Sequence, residues 1–537
     1  MLSLIIKLKI KNFINNIKNH KFTKYLSLVF LIFLIFFSTG MISKNNYIDN
    51  NNNSTLKLSN IDNILETGKM TSPWRDINII TRLCFRNVFT LNVITGEVKP
   101  DLAESYDIST DGLIYNIKFR QDLVWSDGVP ITLDDVVFSF ESVVLDEELS
   151  RIFPVAFDNI VGVNDFITGK YDNISGLFID DNILTIGLNE PIANFIDILS
   201  QFTILPKHIL QDQDIPKLAD NDFWLDPVVS GMYILEEYIP NEQISYTYNN
   251  NYIGTEPNIK SITIRADYQI QDVDYYTTND ILEIMQLSQD PNMQEINIDS
   301  IFYRYLVFNI KKFGEIDPVI GDYRVRSAIA HAIDIKSLIS DIYFNTVNTF
   351  EYGNIIIGSD VLAEKYHDYD PEKSKQLLQE AEYNFDRPII IMYYYQDETS
   401  INFINALAKN LQEVGLQTEI IKSSELYSSS PEIDVYDIAL KGLSALDITE
   451  WYGEYDSSHD LHRYVFGGEP IFDDLVKELN ATTTIDERYE VFNKIQLLGA
   501  DVLYKFPLFT MNYKAYVNSS RLYIPQNTVL GNPKYKY

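Results

Sequence analysis

Between Leu113 and Arg120 the side chains alternate. Leu113, Tyr115, Ile117 and Phe119 fall on one face, and Ile114, Asn116, Lys118 and Arg120 on the other. A period of two predicts a strand with one more polar face. Asp127-Gly128 supplies a tight turn, and Thr132 with Asp135 three residues on predicts a helix cap, after which Val136, Val137, Phe140 and Val144 draw an apolar stripe. The second half reads as alternating strands and helices. Asp370-Pro371 opens a helix whose buried side carries Leu377, Leu378 and Ala381. Ile389–Tyr394 is an apolar-aromatic strand. Ile401, Ile404, Leu407, Ala408, Leu411 and Val414 lie on one helical face, which Gly415 closes. Gln417–Ile421 and Val435–Leu440 are further strands, so this half predicts an α/β lobe with a mixed sheet. Between Val228 and Ile264 the text MYILEEYI, ISYTYN and IKSITIRA reads as strands alone, and no fixed-period repeat runs through the chain.

The N-terminus departs from this pattern. Residues 1–24 carry Lys7, Lys9, Lys11, Lys18, Lys21 and Lys24 and no acid, and residues 25–42 follow as an almost unbroken apolar run. That run is long enough for a transmembrane helix, and the lysines before it favour a cytoplasmic start with an exported body. Ser38-Thr39-Gly40 also offers small residues for cleavage, so the segment is either a retained signal anchor or a signal peptide. Residues 43–60, rich in asparagine, read as a flexible linker. The remaining body of roughly 480 residues is enough for two lobes with sizeable cores.

A formal net charge of −33 argues against nucleic-acid binding and fits a soluble exported protein. Cys84 is the only cysteine, which excludes an internal disulfide and a cysteine-rich metal cluster. The richness in Ile, Asn, Lys and Tyr points to AT-rich coding and a Gram-positive source. His459 and His462, with Asp460 between them, form the one histidine cluster, and nothing near them completes a ligand set. There is no Gly-x-Ser-x-Gly turn and no phosphate-cradling glycine loop. An enzyme is not expected, nor a cofactor.

Several segments, in order, resemble the extracellular solute-binding proteins that feed oligopeptide, dipeptide and nickel ABC importers, solute-binding family 5. They are TGEVKPDLAES (Thr95–Ser105), the stretch from Leu102 to Val144, ILPKH (Ile204–His208), VVSGMYILEEYIPNEQISYTYNNNYIG (Val228–Gly254), YLVFNIKK (Tyr305–Lys312), DYRVRSAIAHAID (Asp322–Asp334) and YDPEKSKQLLQEAEY (Tyr369–Tyr383). The resemblance implies a two-lobed periplasmic-binding-protein-like α/β fold of type II with an extra inserted subdomain. Lobe I would combine 61–100, 203–302 and 508–537, the insert 101–202, and lobe II 303–507. The connections would be Arg304-Tyr305-Leu306 and Phe506-Pro507-Leu508. It further implies capture of an oligopeptide in an interlobe cleft and delivery to permease subunits with separate ATPase chains, by a monomer on the outer face of the cytoplasmic membrane. A peptide-sensing receptor, or a binder of nickel chelate, haem or oligosaccharide, stays open as an alternative. Relatives in single-membrane bacteria usually carry a lipidated cysteine where this chain has Met41, which rules out that anchor.

The resemblance also nominates site residues. In YDIALKGLSALDITEW (Tyr436–Trp451), Asp447 best matches the acid that grips a peptide ammonium, although Leu443 stands in place of a tryptophan. Tyr303, Tyr394, Tyr395 and Trp451 would supply aromatic walls, Gln396 would sit in the cleft loop, and Arg86 would offer a cationic contact. Gln396-Asp397-Glu398 lacks the arginine that some dipeptide-binding relatives use for a ligand carboxylate, which favours longer peptides held through their main chain.

Overall fold

The computed structural model describes residues 55–522, apart from 60–63, 71, 75–78, 93–96, 147–155, 279, 299–301, 313–314, 350–366, 424–434, 446–448, 458–469 and 512. The lysine-rich start and the apolar run 25–42 lie outside the described residues, and so do Asp447, His459 and His462. Among the described residues no helix is long and apolar enough to cross a membrane.

The predicted strand forms as Ile114–Phe119, with Tyr115, Ile117 and Phe119 buried and Ile114 exposed. Gly128 turns the chain at φ 88°, a value an L side chain rarely adopts. Thr132 then caps the helix Leu133–Leu145 through a reciprocal box with Asp135. Around this unit a four-stranded antiparallel sheet runs in the order Ala103–Ile108, Ile114–Phe119, Ile183–Gly187, Leu177–Asp180. Its buried side chains join one continuous core with those of a seven-stranded sheet. That sheet runs in the order Met293–Ile298, Tyr513–Asn518, Tyr275–Thr278, Thr55–Leu58, Ser261–Arg265, Gln243–Tyr248, Tyr233–Ile239. The linker expected over 43–60 therefore ends early. Thr55–Leu58 is a central strand, because Leu56 and Leu58 alternate into the core between two parallel neighbours.

A second core surrounds a six-stranded sheet ordered Asn348–Thr349, Lys505–Thr510, Phe302–Phe308, Ile438–Ser444, Ile389–Tyr393, Thr418–Lys422. The helices that cover it follow the predicted signals. Asp370 caps Pro371–Glu380, accepting from the Lys373 amide at 2.9 Å, and Glu398–Glu413 buries Phe403, Ile404, Leu407, Ala408 and Leu411.

Successive strands change sheet twice, between Ile298 and Phe302 and between Thr510 and Tyr513. The second passage is later than Phe506-Pro507-Leu508, because Pro507 sits inside the lobe II strand Lys505–Thr510. There it pairs with Tyr305 beside a register shift between Arg304 and Tyr305, where an irregular ladder accommodates the missing N–H. Away from these passages the lobes meet at a buried ion pair. Arg488 of the helix Ile485–Val502 donates from Nη1 to Asp197 Oδ2 of the helix Phe195–Leu199 at 3.3 Å.

Candidate functional site at the interlobe edge of the second sheet

Strands Lys505–Thr510 and Ile438–Ser444 both run antiparallel to Phe302–Phe308, and Ile389–Tyr393 and Thr418–Lys422 run parallel to Ile438–Ser444. Four carboxyl ends therefore collect at the edge where Phe302 enters and the chain leaves for lobe I. Tyr303 pairs with Thr510, Phe302 with Ser444, and Tyr393 with Lys422. In open α/β sheets the crevice outside such ends is where ligands bind.

Tyr394, Tyr395 and Gln396 occupy the loop between Ile389–Tyr393 and the helix Glu398–Glu413, where Asp397 caps the helix by accepting from the Ser400 amide at 2.7 Å. The two tyrosine rings lie 4.2 Å apart with their hydroxyls hydrogen-bonded at 2.9 Å. Gln396 is exposed and Tyr394 half-buried. The sequence thus places these three residues together at the edge. It does not single out Arg304, whose guanidinium carbon stacks 3.5 Å above the centre of the Tyr395 ring and 5.1 Å from that of Phe302. The available signal was a lone cation in the aromatic strand FYRYLVF. Gly442, paired with Arg304, permits this layer: a β-carbon there would stand 2.6 Å from Phe302 Cζ and 2.8 Å from Tyr395 Oη.

Tyr303 and Trp451 do not form a surface wall. Both side chains are wholly buried, with ring centroids 4.5 Å apart, on the opposite face of the strand. Tyr305 stacks on Tyr303 at 5.0 Å, and the Lys505 ammonium stands 4.7 Å from the Tyr305 centroid while bonding Glu454 at 2.6 Å. Burial holds Lys505 and Lys441 below the usual lysine range, with Glu454 opposing the shift in both, so two lysines share one carboxylate. The same burial raises the Tyr303 and Tyr305 hydroxyls well above theirs.

Arg86 is likewise committed within lobe I. It bonds the Asp101 carboxylate through Nε and Nη2 and the Ile253 carbonyl at 3.0 Å, and lies 5.3 Å over the Tyr252 ring. Its partners neutralise it and occupy its donors. Asp437, of the YD pair in the motif, is fully buried. It accepts from Arg387 at 2.8 Å, from Lys312 and from the Ile390 amide at 2.8 Å, so it fixes the sheet. A shallow hollow of about 880 Å³ lined by Lys99, Asp101, Glu104, Arg120 and Asp122 lies on the insert side of lobe I, apart from the strand edge.

The model of the bacterial extracellular solute-binding proteins, family 5 Middle, matches residues 97–468. The chain belongs to family 5. A candidate ABC transporter peptide-binding protein of Brucella ovis is 27% identical over 332 residues, 59% of this chain and 58% of that protein, so the chain spans little more than half of that relative. The periplasmic oligopeptide-binding protein OppA of Escherichia coli is 24% identical over 442 residues, covering 75% of this chain and 77% of OppA. Among solved structures, NikZ from Campylobacter jejuni in complex with Ni(L-His) superposes with a TM-score of 0.64 at 21% identity, over 89% of this chain and 97% of NikZ. That likeness establishes the fold of a family 5 protein: mixed α/β, as in the periplasmic solute-binding proteins.

Proposed function

We propose that this family 5 chain is the substrate-binding component of an ABC importer, capturing an oligopeptide between its lobes and delivering it to a membrane permease with separate ATPase chains. One observation carries the reading: a sheet gathers four carboxyl ends at the edge nearest the other lobe, and two short segments are all the chain that joins the sheets. Such an arrangement lets two rigid bodies rotate about few torsions, and a ligand touching both stabilises the closed form. Tyr394, Tyr395 and Gln396 would face the ligand's main chain, with Asp447 pairing its ammonium. On this reading the protein works by enclosure rather than by bond-making. The apolar run 25–42 would hold it as a monomer at the outer face of the cytoplasmic membrane. A nickel chelate is the second reading, favoured by the ligand of NikZ.

Calorimetry against a mixed peptide library, and separately against nickel with free histidine, tests this. Saturable binding of peptides, with none of the nickel complex, supports the first reading. The reverse result supports the second, and a folded sample that binds neither overturns both.

A further inference from the structure

We propose that Arg304 binds a carboxylate of the ligand, with the Tyr395 ring as its platform. The assignment deepens the peptide-binding reading and rests on it.

Arg304 is nine-tenths buried, yet its Nε and Nη1 have no hydrogen-bond partner. Other buried guanidinium groups among the described residues each have an acceptor: Arg86 reaches Asp101, Arg488 reaches Asp197 through Nη1, and Arg326 donates to the carbonyls of Ile320, Val502 and Leu503. The half-buried Arg82, on the lobe I helix Ile79–Cys84, also has unpaired nitrogens, but among the described residues no ring lies beneath it. With 76 acidic and 43 basic residues the chain has carboxylates to spare, and none of the described ones is given to Arg304. A buried cation left without an acceptor is costly, and the cost is removed when an anion arrives.

The geometry also suits a planar anion. Stacking on Tyr395 at 3.5 Å fixes the guanidinium plane and leaves its N–H groups directed sideways, the direction from which a carboxylate accepts two parallel bonds. Arg304 stands two residues inside the strand end at the interlobe edge, opposite Gly442, whose lack of a side chain keeps the space beside it open to the two rings. A peptide can present the carboxylate from its C-terminus or from an acidic side chain.

The test titrates the full-length protein with three pentapeptide libraries: one free of Asp and Glu with a free C-terminus, the same library amidated, and an amidated library with one Glu per peptide. Wild type should bind the amidated acid-free library at least tenfold more weakly than whichever arm carries the preferred carboxylate. In Arg304→Gln that difference should shrink below threefold, and Arg304→Lys should restore part of it. Equal wild-type affinity for all three arms overturns the role of Arg304 while the peptide reading stands. A carboxylate preference that survives in a folded Arg304→Gln assigns the anion to another residue and also overturns it. Wild type binding none of the arms overturns both. Should Arg304→Gln not fold, Tyr395→Leu, which removes the platform beneath the guanidinium, takes its place: the preference among arms should shrink in it, and a preference left intact overturns the assignment.

Discussion

Glu454→Gln should destabilise lobe II strongly, and in a pH-dependent way. In wild type the Glu454 carboxylate is almost wholly buried, 2.6 Å from the Lys505 ammonium, and it also raises the Lys441 ammonium against the effect of burial. The amide removes the one negative charge that serves both lysines and leaves two buried cations facing each other. Removing one partner of a buried pair costs about 3–5 kcal/mol. For a unit the size of this lobe that is a fall in melting midpoint of about 6–20 °C. Both lysines already sit below the ordinary range, and losing Glu454 lowers them further. A lysine whose folded pKa is depressed binds fewer protons folded than unfolded, so stability rises with pH up to the unfolded value near about 10.4. The deficit of the variant should therefore be largest near pH 7 and shrink towards pH 10. Glu454→Leu combined with Lys505→Met and Lys441→Met, which removes the carboxylate together with both lysines, should recover much of the loss. Urea denaturation at pH 7 and pH 9.5 measures all three proteins. A loss under about 1 kcal/mol at pH 7, or a deficit that grows with pH, refutes the assignment of this cluster as a buried, shared ion pair.

Gly442→Ala should cost about 1–3 kcal/mol, because its methyl would stand 2.6 Å from the Phe302 ring and 2.8 Å from the Tyr395 hydroxyl; it should also weaken peptide binding by displacing Tyr395, and denaturation with parallel titration reads both. Asp197→Asn should open the protein rather than unfold it. The Arg488 pair spans the lobes and separation returns both groups to water, so small-angle scattering should show a larger radius while the melting midpoint barely moves. Acid should destabilise the chain through His331 and His367, whose rings lie 5.4 Å apart and are held neutral by burial, His367 pushed down to about 3. Their contribution is present above the unfolded value of about 6.5 and is lost as pH falls, at up to about 1.4 kcal/mol per unit for His367. His367→Leu should flatten that acid limb in melting curves taken between pH 7.5 and 5.

Local pattern carried the elements well. The Ile114–Phe119 strand, the capping box at Thr132 and the helix after Asp370 stand where alternation and cap residues put them, and the helix expected from Ile401 forms but begins three residues earlier, at Glu398. What pattern does not carry is pairing between distant segments. Thr55–Leu58 has the alternation of a strand, but only its neighbours at Ser261–Arg265 and Tyr275–Thr278 make it central, and an asparagine-rich tract before it reads as linker throughout. The resemblance put an interlobe connection at Phe506-Pro507-Leu508, whereas the register shift opposite Pro507 lets the strand continue to Thr510. For the site, residue type alone did not separate Tyr394 and Gln396, at the edge, from Tyr303 and Trp451, one strand face away and sealed in the core. Arg304 was missed because a charge within an aromatic strand has no periodicity of its own; its meaning depends on the ring beneath it and the acceptor it lacks.

The central claim is that two bodies joined by short crossings close on a peptide. Pulsed electron resonance between spin labels at exposed Tyr171 on the insert and exposed Tyr369 on lobe II, with the buried Cys84 replaced by alanine, tests it directly. Addition of a binding peptide library should narrow the distance distribution and shift it to shorter values, in proportion to occupancy. A distribution that stays the same at saturating peptide would contradict the account.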